Sequence, residues 1–363
     1  LQARPVLAAV RAARPALQIA YTFYSPSADA FAAGLARDRL ADFADYLPFD
    51  TARDADAALD ALTPSALVFS KLDVWPTLVA RAAARRIPLG LVSATLAADS
   101  SRRGPLARTL LREAYARLDA VGAVSDDDAA RLVAIGVRAP MITVTGDARF
   151  DQVWARARAA ETRVVARLAT GRATLVAGST WPSDDRVVLP AWRAADGSLR
   201  LIIAPHEPSA DHVAAIARRA TDAGRRVARL DDDDAPAADV VIVDRLGVLG
   251  DLYALASIAF VGGAFHAAGL HSTLEPAAYG VPVLFGPRHE GSRDAALLLA
   301  AGAAHAVDGP SAMTAQINAW VRDDAARCAA GAQARDVVRR GLGAADRSAT
   351  LVARLLDRSG ATD

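Results

Sequence analysis

Residues 260–287, FVGGAFHAAGLHSTLEPAAYGVPVLFGP, set a Gly-Gly pair after an apolar run and a Ser-Thr-Leu-Glu tetrad a short way beyond it. Glycine leaves no Cβ between the amides of Gly262 and Gly263 and an approaching anion, and a helix opening near Ser272 turns its positive end into the same space. The chemistry this suits is the holding of a phosphate. Ser272, Thr273, Leu274 and Glu275 fit a capping box equally well, with Ser272 as N-cap and Glu275 returning to its backbone N–H. Both readings stand on spacing alone. His266 and His271 suit ligands, bases or hydrogen-bonded structural roles, and without a carboxylate or cysteine partner at ligand spacing they form no metal pattern.

Three other stretches carry chemistry-bearing residues. AGSTWPSDD (177–185) ends a buried strand in the hydroxyl residues Ser179 and Thr180 and opens a helix at Pro182, so its amides face the same edge; plain capping by Thr180 or Ser183 is the competing reading. IIAPHEPS (202–209) puts Pro205, His206 and Glu207 at the end of another strand, where a simple turn would also fit. In FSKLDVWP (69–76), Lys71 is the only lysine of a chain whose other basic residues are all arginine. A compact ammonium on a flexible stem meets a carboxylate or phosphate differently from a planar guanidinium. Asp73 is placed to hold it, and Trp75-Pro76 starts a helix.

The elements that must position these residues follow from the hydrophobic pattern. Short apolar runs, LQIAYTF, ALVFS, IPLGLVS, AVGAVS and MITVTG, alternate with longer Ala/Arg/Leu-rich amphipathic segments; a helical run over about 152–169 intervenes, and ATLVAGS, LRLIIAP, ADVVIVD, SIAFVGG and VPVLFG resume the alternation. This predicts an α/β chain of two Rossmann-like domains with parallel sheets, facing a central cleft at their strands' carboxyl edges. Residues 1–150 form the first domain, 151–330 the second, and 331–363 a terminal helix packing back across the join. The 363 residues, 53% of them apolar, suffice for two cores. With 42 basic against 41 acidic residues no global field attracts nucleic acid. The lone Cys328 excludes an internal disulfide, and no uninterrupted apolar run is long enough for a bilayer span. DDDDAPAAD (231–239) reads as a solvated acidic turn.

Taken in order, YLPFD, KLDVWP, LVSATL, TGDARFD, AGSTWPSDD, VDRLGVLGDLY and FVGGAF…GLHSTLEPAAYGVPVLFGP resemble the 3-deoxy-D-manno-octulosonic acid (Kdo) transferases of lipopolysaccharide synthesis, from residue 5 to about 307. The resemblance implies an inverting GT-B glycosyltransferase that needs no metal or other cofactor. It moves Kdo from CMP-Kdo to a lipid A precursor at the cytoplasmic face of the bacterial inner membrane, held there peripherally or by an N-terminal anchor preceding this sequence. It further implies that Pro205 and His206 lie near the nucleotide. Leu246, Gly247 and Val248 make a backbone wall, and Ser272, Thr273 and Leu274 lead to Glu275 at the ribose, with Ser179, Thr180, Gly262 and Gly263 on the same donor side. Lys71 and Arg149 would assist transition-state charge, with Asp73 and Trp75 on the acceptor side. Members place the general base on a short Gly-Glu loop, expected immediately upstream of Leu1. Lys71 stands where many members carry glutamate, Arg149 where many carry lysine and Ser272 where asparagine is usual; APHEPS lacks an expected arginine. The fold by itself would also serve a GT-B enzyme that uses a UDP-sugar for lipid or cell-wall precursors, or a noncatalytic nucleotide-binding scaffold.

Overall fold

The computed structural model describes residues 2–98, 100–160, 162–195 and 199–359. The chain divides into two compact units, residues 1–152 with 341–363, and residues 153–340. In the first unit, β1 (Ala20–Phe23) pairs in parallel with β2 (Phe43–Tyr46). A second parallel sheet runs in the order β3 (Leu67–Ser70), β4 (Leu89–Ala94), β5 (Ala120–Ala123) and β6 (Ile142–Val144). The helix Ala344–Ser359 packs on the helix Ala3–Ala13 and on β4 and β5. Its start is tied by the Asp151 carboxylate, which accepts from the amides of Gly343 (2.7 Å) and Ala345 (2.9 Å). The stretch from about 331 is two helices, Asp324–Arg340 and Ala344–Ser359. Between them Gly343 takes a left-handed backbone (φ +88°), and a side chain at Gly341 would collide with the Phe150 ring.

The second unit is one seven-stranded parallel sheet. Its strands are β7 (Thr174–Thr180), β8 (Arg200–Pro205), β9 (Val227–Arg229), β10 (Val240–Ile242), β11 (Ile258–Val261), β12 (Val283–Phe285) and β13 (Ala304–Ala306), in the spatial order β13-β12-β11-β7-β8-β10-β9. Both faces are covered by helices, so β8, β10, β11 and β12 are buried at every residue, as a parallel sheet requires. The chain leaves β7 towards β8 and later returns to β7's other side as β11, which makes the β7/β11 junction the topological switch point, the place where such sheets bind ligands.

One device recurs in both units. β4 and β7 each shift register near their carboxyl ends, after Leu91 and after Gly178. Each bulge holds a serine in left-handed backbone, Ser93 (φ +52°) and Ser179 (φ +53°). A bulge re-aims the strand end, and strain of this kind persists only where surrounding structure enforces it. The two bulges fall within LVSATL and AGSTWPSDD. No helix among the described residues is long and apolar enough to cross a membrane.

Candidate functional site

The carboxyl edge of the second unit is organised by one buried carboxylate. Asp184, in the first turn of the helix Pro182–Ala194, accepts from the Trp181 amide (2.8 Å), the Gly263 amide (2.9 Å) and the Phe265 amide (3.4 Å). Asp184 and Trp181 therefore cap this helix, and neither Thr180 nor Ser183 does. The Gly262 amide donates to the Gly178 carbonyl across the switch point (2.8 Å). The expectation that Gly262 and Gly263 offer open amides to an anion is corrected: both N–H groups are already bonded within the protein. The glycines are there for close packing, since a Cβ on Gly262 would lie 2.8 Å from the Ser179 carbonyl carbon and from the Thr180 Cα.

The capping box at Ser272 is also corrected. The helix there is the short segment Leu274–Ala278, its N-cap is Thr273, and no side-chain hydrogen bond caps it. The chain folds back just before it, with the His271 amide on the Gly262 carbonyl (3.1 Å), and this leaves Ser272 exposed while Thr273 is fully buried. The hydroxyls of Thr273, Ser183 and Tyr279 are buried without a hydrogen-bond partner among the described residues, while the buried Thr180 hydroxyl faces the Asp185 carboxylate. Native interiors leave few such groups, so each of these asks for a partner that its own surroundings do not supply.

Glu275 lies inward of this edge. Burial pushes its carboxyl above the usual range, Arg156 opposes that shift and Asp251 adds to it. Burial, with Asp251 adding, also holds the neighbouring Tyr279 phenol up at about 12. Arg156 donates to the Gly247 carbonyl (2.7 Å) and lies 3.3 Å from Asp251, so it fastens the loop of Leu246, Gly247 and Val248. There Gly247 is left-handed (φ +94°), Leu246 is 73% exposed, and the Val248 side chain turns into the core. Pro205 ends β8, and the His206 amide is held by the Thr180 carbonyl (2.9 Å). Ser179, Thr180, Pro205, His206, Gly262 and Gly263 thus lie together at the ends of adjacent strands.

Aromatic rings crowd the same edge. Trp181 stacks on His266 with centroids 4.1 Å apart and planes 4° from parallel, and on His206 at 4.9 Å; His206 stacks on His271 at 4.3 Å. The Trp181 Nε1–H donates to His271 Nε2 (3.3 Å). Beside them, the buried Asp185 meets His212 Nε2 at 2.6 Å; burial raises the Asp185 carboxyl, against the pull of His212. Trp181, Asp184 and Arg156 escaped the sequence reading. Asp184 carried a legible signal, an acidic residue at the third position after Trp181, whereas nothing local to Arg156 tells that it reaches Gly247 and Asp251.

In the first unit, Lys71 follows β3 in left-handed backbone (φ +62°) with its amide on the Val92 carbonyl and its side chain exposed. Asp73 does not hold it: Asp73 pairs with Arg102 at 3.8 Å, and no ion pair of Lys71 occurs among the described residues. Trp75 is half-buried beneath Tyr24 (5.2 Å), which also contacts the largely exposed Phe49 (6.1 Å). Arg149 is clasped by the buried Asp147 through Nε (2.9 Å) and Nη2 (2.7 Å), and Gln2 Nε2 donates to the same carboxylate at 3.3 Å.

Residues 1–152 match a family model described as 3-deoxy-D-manno-octulosonic-acid transferase (kdotransferase). The chain is 34% identical over 278 residues to a 3-deoxy-D-manno-octulosonic acid transferase of Bordetella pertussis, covering 74% of this chain and 64% of the relative. It is 30% identical over 266 residues to the protein of the same name in Chlamydophila psittaci (strain ATCC VR-125 / 6BC), covering 72% and 61%. The chain spans less than two thirds of the length of either relative. Among solved structures, a UDP-GlcNAc 2-epimerase from Neisseria meningitidis bound to UDP-GlcNAc superposes with a TM-score of 0.66 at 11% identity, covering 98% of this chain and 96% of that one. This agreement is one of fold: two α/β units of the GT-B type.

Proposed function

We propose, from the match of residues 1–152 to the 3-deoxy-D-manno-octulosonic acid transferase family, that the chain transfers Kdo from CMP-Kdo to a lipid A precursor, with inversion and without a metal. The observation that carries the donor half of this reading is in the second unit, where the buried hydroxyls of Thr273 and Tyr279 have no partner among the described residues and Glu275 sits in a low-dielectric setting. Glu275 accepts from the ribose hydroxyls. The loop of Leu246, Gly247 and Val248 borders the base, Pro205 and His206 flank the nucleotide, and Ser179, Ser272, Thr273 and Leu274 line the phosphate side.

On the first unit, Lys71 and Arg149 stabilise charge as the reaction proceeds. The acceptor hydroxyl attacks the anomeric carbon, its proton passes to a base, and the bond from that carbon to the CMP phosphate oxygen breaks with its electron pair leaving on CMP. A cation near either anion lowers the barrier because it meets charge that develops in the transition state. Asp147 fixes the Arg149 guanidinium, whereas Lys71 keeps a mobile ammonium. The exposed Tyr24 and Phe49 beside Trp75 offer an apolar face to the glycolipid acceptor, in keeping with work at the cytoplasmic surface of the inner membrane by a peripheral protein.

The choice between a CMP-sugar and a UDP-sugar is settled by calorimetry with CMP, UMP and UDP. CMP should bind at least about tenfold more tightly than either uridine nucleotide, a difference of about 1.4 kcal/mol. UDP binding preferred over CMP would move the chain to the UDP-sugar class.

A further inference from the structure

The four stacked rings at the donor edge carry more than shape. Two of the three imidazoles are committed as acceptors: His271 Nε2 receives the Trp181 indole N–H, and His266 Nδ1 receives the Ala268 amide at 3.1 Å. Those nitrogens must be unprotonated for the bonds to exist. His206 is different. Its backbone is pinned at the end of β8, yet neither ring nitrogen has a hydrogen-bond partner among the described residues, and its ring lies against both Trp181 and His271. The groups recorded against it are these two rings; Asp184 joins the stack through the Trp181 amide and acts on His271, Glu207 beside it in sequence is exposed, and Asp185 is engaged by His212 on the next helix.

We propose that His206 takes up a proton when the phosphodiester of the donor nucleotide binds, so that donor affinity rises as pH falls from about 8 to about 6. This rests on the donor reading above. Among the described residues no arginine or lysine side chain bonds to the stack, and the Gly262 and Gly263 amides are consumed internally, so the edge has little fixed positive charge for a phosphodiester. An imidazolium supplies it. Its face gains from the neighbouring indole as a cation over an aromatic ring does. Burial and the closeness of His206 hold the His271 imidazole below its ordinary range, which keeps His271 neutral as the indole's acceptor and leaves the incoming proton to His206.

The test uses the whole chain and a phosphodiester that does not itself titrate near neutrality, cytidine 5′-(methyl phosphate). Calorimetry at pH about 7 in two buffers of different ionisation heat reads the protons taken up directly. The wild-type protein should take up roughly half a proton or more, and its Kd should tighten by about fivefold or more from pH 8 to pH 6. His206→Gln should bind with little pH dependence and almost no uptake. Wild-type binding with no proton uptake overturns the inference and leaves the donor reading standing. Uptake that persists in His206→Gln overturns the assignment to His206. Absence of any binding by the wild type removes the donor reading and this inference with it.

Discussion

A Gly262→Ala protein is expected to lose about 3 kcal/mol or more of stability, with its denaturant midpoint falling accordingly. The new methyl would enter space occupied by the Ser179 carbonyl and the Thr180 Cα, both backbone, at the bulge where β7 meets the start of the 262–273 loop. Retreat is blocked, because the Gly262 amide is bonded to Gly178 and the next amide to Asp184. Gly269→Ala is the control. It has a left-handed backbone (φ +84°) but nothing within reach of an added Cβ, so it should cost only the local strain, about 1–2 kcal/mol. Equal losses in the two proteins would mean that the backbone around position 262 yields to the added methyl, so that the close approach at the switch point is not what requires glycine there.

Glu275→Ala should weaken CMP binding by roughly tenfold to a hundredfold, about 1.5–3 kcal/mol, while leaving the fold intact. The carboxylate makes no capping bond to its own helix, so its removal leaves no backbone group orphaned. It is also costly where it stands: burial raises its carboxyl, Asp251 adds to the shift, and the attraction of Arg156 does not bring it back to the usual range. Relieving a strained carboxylate should hold or slightly raise the thermal midpoint of the free protein while ligand affinity falls, a split that a purely structural residue would not give. CMP affinity unchanged in the folded variant would remove Glu275 from the donor site.

The architecture was legible because parallel strands buried on both faces must be written as continuous apolar runs; TLVAGST, RLIIAP and IAFV are such runs. The strands that went unread are short and lie at edges or in a two-stranded pair: Phe43–Tyr46, Val227–Arg229 and Ala304–Ala306, where FADY, VAR and AHA are too brief or too polar to carry a period. Local chemistry was read less well for a consistent reason. Each misassigned contact turns on a partner far away in sequence. Asp184 takes the amide expected for an anion at Gly263, 79 residues on, and Arg102 takes the carboxylate expected for Lys71. The Ser272 box matched its sequence pattern and failed in space, because the return of His271 to Gly262 fixes the loop before the helix can begin at Ser272. Tertiary hydrogen bonds outweigh a cap, whose worth is only about 1 kcal/mol.

Sugar transfer itself can be followed. The protein, expressed from its complete gene, is incubated with CMP-Kdo and a lipid A precursor in EDTA, and the glycolipid is weighed by mass spectrometry while released CMP is measured. The expected product is a glycolipid heavier by whole Kdo residues, with one CMP released for each, at a rate that magnesium does not change. Activity that disappears in EDTA and returns with magnesium would contradict the metal-free mechanism, and transfer from a UDP-sugar with none from CMP-Kdo would contradict the assignment itself.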